Sequence, residues 1–78
     1  MPTVLRWGAY RAFFYSNERD EPPHIHIRAG DKEIKVWLHD LTLAANMGFA
    51  AHEVGDTIRH LRANRLKLMA AWNAYFGN

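Results

Sequence analysis

Residues 24–38 read HIHIRAGDKEIKVWL and carry the clearest structural pattern in the chain. Apolar and polar side chains alternate on both sides of Gly30-Asp31, which is typical of two antiparallel strands joined by a two-residue turn. With that turn, Ile27 faces Ile34 and Ile25 faces Val36, so apolar side chains pair on one face. On the opposite face Arg28 meets Glu33, His26 meets Lys35 and His24 meets Trp37. A shift of one residue would turn every apolar side chain to the other face, so the sequence predicts the register as well as the hairpin.

A second hairpin is predicted upstream of the first. Strands at Thr3–Trp7 and Tyr10–Tyr15 flank Gly8-Ala9, a two-residue turn with glycine first. This register places Arg6 opposite Arg11, a like-charge pair that is normally unfavourable. Either a bulge shifts the register or this face of the sheet expects an anion. The charged segment 16–23 (SNERDEPP) reads as a turn, because its two prolines do not fit a central strand.

The second half of the chain predicts a helix. After a connecting segment at 40–50, apolar residues recur at spacings of three and four within a helix over about 51–76. The apolar stripe consists of Val54, Ile58, Leu61, Leu68, Trp72, Tyr75 and Phe76. Arg65 falls near the middle of this stripe and would need a carboxylate partner there. We therefore expect a single α+β domain over residues 1–78: a four-stranded antiparallel sheet of two hairpins (about 3–39), packed against one long C-terminal helix.

Length and composition exclude several classes of protein. A chain of 78 residues allows one domain, and a hydrophobic fraction of 49% excludes disorder. The absence of cysteine removes disulfides, thiolate nucleophiles and cysteine-ligated zinc. No apolar run approaches the roughly 18 residues of a membrane span, so a cytoplasmic protein without a membrane partner is expected. Residues 1–56 carry 6 basic and 8 acidic side chains (net −2), whereas residues 57–78 carry 4 basic and none acidic (net +4).

His24 and His26 form the first chemical candidate. Residues i and i+2 of a strand project from one face about 6–7 Å apart, so their imidazoles can converge on one ligand. That ligand could be a metal ion, a substrate that needs an acid and a base, or an anion. A metal would require further donors from Asp20, Glu21, Glu33, His39 or His52. Because Lys35 and Arg28 lie close to the pair, their charge opposes a dication, so the prediction includes no metal site and no cofactor.

The polar face of the sheet is the second candidate, as an RNA-binding and potentially RNA-cleaving surface. Metal-free RNA cleavage needs an acid, a base and cations that stabilise the phosphorane, and His24 and His26 are the candidate catalytic residues. The candidate contacts to phosphates and bases are Arg11, Tyr15, Arg28, Lys35 and Trp37. The alternative is an ordinary solvated sheet face, with Arg28–Glu33 as a surface ion pair and His24 bonded to the backbone near Pro-Pro.

The C-terminal helix is the third candidate. Its cations, Arg59, Arg62, Arg65 and Lys67, suit either phosphate contacts or a solvated face. Arg65, Trp72 and Phe76 are the candidate partner-binding residues, and closure of the core is the alternative for the two aromatic side chains.

Most of the chain resembles a known family of small bacterial proteins. The segments MPTVLRWGAYRAFFYSNERDEPPHIHIRAGDKEIKVWL and NRLKLMAAWNAYFG resemble domain of unknown function 4160, and the Pro-Pro-His-Ile-His core is specific. Trp7, Ala9 and Ile27 are small departures from the family pattern. The resemblance implies a gene pair of the toxin–antitoxin kind, with a small cognate protein encoded nearby, but it implies no catalytic residue.

Three hypotheses follow. The leading one is a toxin-like component of such a pair that binds RNA and could cleave it without metal. The runner-up is a non-enzymatic antitoxin or regulatory protein-binding domain. The third is a metal-binding domain that uses the His-x-His pair. A homodimer is compatible with each of them.

Overall fold

The computed structural model describes residues 3–77, which form an antiparallel sheet and two helices. The α+β class is confirmed. The sheet has its five strands in sequence order, β1-β2-β3-β4-β5, so each strand pairs with its neighbour along the chain. The elements are β1 Thr3–Trp7, β2 Tyr10–Phe13, β3 His24–Ala29, β4 Lys32–Trp37, β5 Leu43–Met47, α1 Ala51–Ala63 and α2 Arg65–Phe76.

The register of the central hairpin, β3–β4, is confirmed at every predicted position. The pairs are His24 with Trp37, Ile25 with Val36, His26 with Lys35, Ile27 with Ile34 and Arg28 with Glu33. Gly30 has a φ of +63°, which the tight turn requires and glycine adopts without strain. The isoleucines and Val36 are buried on one face, and this face carries the core.

The first hairpin, β1–β2, also follows its predicted register. Arg6 faces Arg11 and Leu5 faces Ala12, with an irregularity between Thr3 and Leu5. The like-charge pair is therefore present. Strand β2 ends at Phe13, two residues earlier than expected.

A fifth strand corrects the predicted four-stranded sheet. Strand β5 lies inside the expected connecting segment and pairs antiparallel with β4. The chain reverses between these strands at Leu41, whose φ is +57°, while the Asp40 carboxylate accepts bonds from the backbone N–H and the hydroxyl of Thr42. The strand reads LAANM, which is poor in β-branched and aromatic residues, so its sequence signal is weak.

The predicted single helix over 51–76 is wrong: two helices are separated at Asn64. The φ of Asn64 is −117°, outside the helical range, and its side-chain amide donates to the carbonyl of His60. Asparagine competes for backbone hydrogen bonds in this way, which disfavours it inside helices. Arg65, the first residue of α2, is exposed, and its guanidinium donates to the main-chain carbonyls of Leu38 and His39 rather than to a carboxylate.

The core joins the apolar sheet face to both helices. Its members are Ala12, Phe14, Ile25, Ile27, Ala29, Ile34, Val36, Leu38, Leu41, Phe49, Leu61, Leu68, Trp72 and Phe76. Among residues 3–77, no helix has the length and hydropathy that crossing a membrane would require. The opposite sheet face, called the outer face below, carries the polar side chains of β1–β4.

Candidate functional site

Three arginines lie side by side on the outer face. Arg6 of β1 pairs with Arg11 of β2, and Arg11 pairs with Arg28 of β3, so their side chains project from one face of three adjacent strands. We call these three residues the arginine row. Arg28 forms an ion pair with Glu33, Nε to Oε1 at 3.3 Å. Over the part of the chain that the structure describes, Arg6 and Arg11 have no carboxylate within 4.0 Å, so the row keeps an excess of positive charge.

Arg11 lies between two like charges, Arg6 and Arg28, and one of its donors is unpaired within the described part of the chain. Its Nε is buried and has no hydrogen-bond partner within residues 3–77. Its guanidinium carbon lies 4.5 Å from the centroid of the Phe13 ring, close enough for a cation–π interaction. An arginine with an unpaired donor between two other arginines is typical of a site that receives an anion.

His24 and His26 meet a carboxylate that the sequence did not single out. The segment between β2 and β3 returns over the outer face and places Glu18 Oε1 2.9 Å from His24 Nε2 and 2.6 Å from His26 Nε2. We call these three residues the His–Glu cluster. His24 has no exposed surface and His26 is 6% exposed, while the Glu18 side chain is 20% exposed. Burial alone would raise the pKa of Glu18, but the hydrogen bonds from the two histidines outweigh it and lower the pKa.

The other ring nitrogens of the two histidines also face oxygen atoms. His24 Nδ1 lies 2.9 Å from the carbonyl oxygen of Pro22. A bond from His24 to the backbone near Pro-Pro was the alternative to a catalytic role for this residue. Because a carbonyl only accepts, His24 carries a proton on Nδ1. His26 Nδ1 lies 3.4 Å from Glu33 Oε2, too far for an ordinary hydrogen bond but close enough for a favourable charge interaction.

Glu33 connects the arginine row to the His–Glu cluster. It accepts a bond from the Tyr15 hydroxyl at 3.2 Å and also contacts Arg28 and His26. Burial and the charge of Glu33 raise the pKa of Tyr15, so this phenol stays protonated as a donor. Tyr15 is therefore packed against His26, with ring centroids 4.5 Å apart, rather than free to stack on a ligand.

Lys35 has a carboxylate partner as well. Its ammonium donates to Glu21, from the same segment as Glu18, and lies 4.8 Å from the centroid of the Trp37 ring. The expected cationic surroundings of the two histidines are thus neutralised by Glu21 and Glu33. Contrary to the expectation from the sequence, Lys35 and Arg28 therefore do not oppose a dication at the two histidines.

The candidate partner-binding residues lie in different environments. Trp72 and Phe76 are 1% and 7% exposed and pack against Phe14, so they close the core. Arg65 is exposed beside the β4–β5 turn. The helix cations Arg59, Arg62 and Lys67 are also exposed.

Sequence reasoning brought together the two histidines and most of the outer face but left out Glu18 and Arg6 as site residues. Arg6 had a signal, its predicted pairing with Arg11. Glu18 had none, because its position depends on how an irregular segment folds back over the sheet. His39 and His52, which were possible metal donors, do not join the His–Glu cluster.

The fold and the site define a small α+β protein with an arginine row and a buried His–Glu cluster on the outer face of an antiparallel sheet. The chain belongs to the family described as Domain of unknown function (DUF4160), whose model matches residues 9–73. Neither the curated proteins nor the solved structures contain a significant match to the chain.

Proposed function

We propose that the protein binds RNA through the arginine row, as the toxin-like component of a two-protein module. The observation that carries the proposal is the placement of Arg6, Arg11 and Arg28 on adjacent strands with one carboxylate among them. Like charges placed directly opposite each other in a sheet are destabilising, so the arrangement needs an anion to balance it.

A phosphodiester backbone suits this arrangement. Neighbouring strands lie about 4.8 Å apart, so the row spans about 10 Å and offers several guanidinium forks in a line. Guanidinium groups bind phosphate oxygens in bidentate pairs, which gives both energy and orientation. Trp37, half-buried at the other end of the outer face, offers an aromatic surface for a base.

The geometry favours binding over cleavage by His24 and His26. His24 has no exposed surface, and both of its ring nitrogens already have oxygen partners. An RNA hydroxyl would reach these rings only if Glu18 moved away. The proposal therefore assigns the arginine row to RNA and gives the histidines no step in a reaction.

The test is binding of a fluorescent single-stranded RNA of about 12 nucleotides at several salt concentrations. Three phosphate contacts predict that log K falls with log salt with a slope of about −2, and Arg11→Ala makes the slope shallower by about 0.7. Arg59→Ala is the matched control, since this arginine is exposed on α1 and pairs with Asp56. Equal losses of RNA affinity in Arg11→Ala and Arg59→Ala, or no RNA binding by the wild type, would reject the arginine row as the RNA site.

The role in a two-protein module has a separate test. Induction of the wild-type chain in cells is expected to arrest growth, and Arg11→Ala should relieve the arrest at equal protein levels. Co-expression of the neighbouring gene product should relieve it as well. If growth continues unchanged on induction of the wild type, the toxin-like role is wrong even if RNA binds.

A groove beside α2 favours a second candidate, a protein-binding domain. The groove has a volume of about 500 Å³ and is lined by Thr3, Val4, Phe14, Lys67, Ala71, Ala74 and Tyr75. Co-purification with the neighbouring gene product should be lost in Ala71→Arg and kept in Arg59→Ala. Equal recovery of both variants would exclude the groove as the docking surface.

A further inference from the structure

We infer that the His–Glu cluster is a site for a divalent transition metal, with Zn²⁺ the best match, which fastens the segment between β2 and β3 onto the sheet. This inference goes beyond RNA binding and does not depend on it. It is based on the donor atoms, on the groups that orient them and on the paired charges around them.

Three donor atoms of the types that zinc prefers converge from two parts of the fold. One atom from each of Glu18, His24 and His26 lies within 4.8 Å of the other two. The histidines are on a central strand, whereas Glu18 is on the irregular segment and partly exposed. Tetrahedral zinc with bonds near 2.0 Å holds its ligands about 3.3 Å apart. The Glu18 contacts at 2.9 and 2.6 Å would need to lengthen by about 0.4 and 0.7 Å, and the Glu18 side chain, which is partly exposed, has room to adjust.

The histidines are oriented as metal-binding histidines are. A ligating imidazole usually donates its other N–H to a carbonyl or a carboxylate, which fixes its tautomer and its direction. His24 has the Pro22 carbonyl at Nδ1, and His26 has the Glu33 carboxylate on the Nδ1 side. Both rings therefore direct Nε2 towards Glu18.

The charges around the His–Glu cluster and the types of its donor atoms also favour Zn²⁺. The nearest cations, Lys35 and Arg28, are paired with Glu21 and Glu33. Imidazole nitrogen combined with one carboxylate favours Zn²⁺ over Mg²⁺ or Ca²⁺, which prefer oxygen ligands alone.

The direct test is metal titration of the full chain, purified without a histidine tag and treated with a chelator. Isothermal titration with Zn²⁺ should give one equivalent, and Co²⁺ should give the absorption of a tetrahedral site. Glu18→Gln and His26→Gln should each weaken Zn²⁺ binding at least about tenfold, since loss of second-shell partners alone costs that much. His39→Ala, which removes an exposed histidine outside the cluster, should bind as the wild type does.

A second measurement asks whether the metal fastens the segment. Arg19 is exposed and follows Glu18 directly, so trypsin can report on its mobility. Zn²⁺ should slow cleavage after Arg19 in the wild type and leave the rate in Glu18→Gln unchanged. Circular dichroism on each variant checks that the fold is kept. Glu18→Gln is preferred to a substitution of His24 because Glu18 is partly exposed, whereas His24 is fully buried in the fold.

Absence of saturable one-to-one binding, or equal affinity of the wild type and folded Glu18→Gln, would overturn the inference. Arg11→Ala should keep its affinity for Zn²⁺. Failure of the metal site and failure of the RNA site can thus be told apart.

Discussion

Replacing Arg11 with methionine is expected to stabilise the protein. Methionine keeps an unbranched apolar stem over Phe13 but removes the charge and the buried donor. In the wild type, Arg11 faces Arg6 on one side and Arg28 on the other, and its Nε has no partner within residues 3–77.

The size of the effect follows from three contributions. Each like-charge pair across a sheet costs about 0.2–1 kcal/mol, and Arg11 takes part in two. An unsatisfied buried donor costs about 1–3 kcal/mol. Against this, the cation–π contact with Phe13, at 4.5 Å, is worth about 0.5–1 kcal/mol. The net gain in the free energy of unfolding is about 0.5–4.5 kcal/mol at low ionic strength, and each kcal/mol raises Tm by about 4–8 °C in a domain of this size.

Urea denaturation followed by circular dichroism, at low salt and at about 0.5 M salt, measures this gain. The gain should shrink at high salt because exposed charges are screened. The matched control is Arg59→Met, an exposed and paired arginine of α1, which should change the stability by no more than about 0.5 kcal/mol. RNA should stabilise the wild type more than it stabilises Arg11→Met, which lacks one of the three phosphate contacts. If Arg11→Met unfolds at lower urea than the wild type at both salt concentrations, the arginine row is not repulsive and the reasoning fails.

Three further predictions concern the fold. The backbone N–H of Ala50 and the Lys32 ammonium lower the pKa of Glu53 from 4.5 to about 2, so its stabilising effect is complete above about pH 4.5 and is lost as the pH falls through about 2. The urea midpoint of Glu53→Gln should therefore depend less on pH in this window than that of the wild type, and identical pH profiles would contradict the assignment. Gly48→Ala should cost about 1–3 kcal/mol, because φ is +99° and the new Cβ would lie 3.0 Å from a lysine side chain, whereas Gly55→Ala inside α1 should gain about 0.5–1 kcal/mol. Chemical denaturation of both glycine variants measures whether the free energy of unfolding falls in the first and rises in the second. Trp72→Ala should cost about 3–5 kcal/mol and leave little folded protein, with Tm as the readout, while a loss as small as that of an exposed position would show that α2 does not close the core.

The two groups on the outer face differ in what they need from the rest of the molecule. The arginine row follows from the pairing of three strands, so it forms as soon as the two hairpins dock. The His–Glu cluster requires in addition that the segment between β2 and β3 lies against the sheet. Glu33 touches both groups, through Arg28 and His26. Variants of Glu33 are therefore unsuitable as probes of either group alone.

The two hairpins, their registers and the face that carries the core could be predicted from local patterns in the sequence. The reason is that strand alternation and tight turns are local properties, and a shift of one residue would bury polar side chains. The facing of Arg6 and Arg11 and the shared face of His24 and His26 follow from the same rule. The family could also be identified from the sequence, because the Pro-Pro-His-Ile-His motif lies within one short segment.

Features that depend on contacts between distant parts of the chain could not be predicted from the sequence. Strand β5 exists because the β4 edge accepts its backbone, although its own residues favour no strand. The break at Asn64 interrupts a periodicity that reads as one helix. Arg65, which that periodicity places in the apolar stripe, is exposed and donates to the carbonyls of a turn. Glu18 reaches the histidines because an irregular segment folds back over the sheet, and no periodic pattern in a sequence records the path of such a segment.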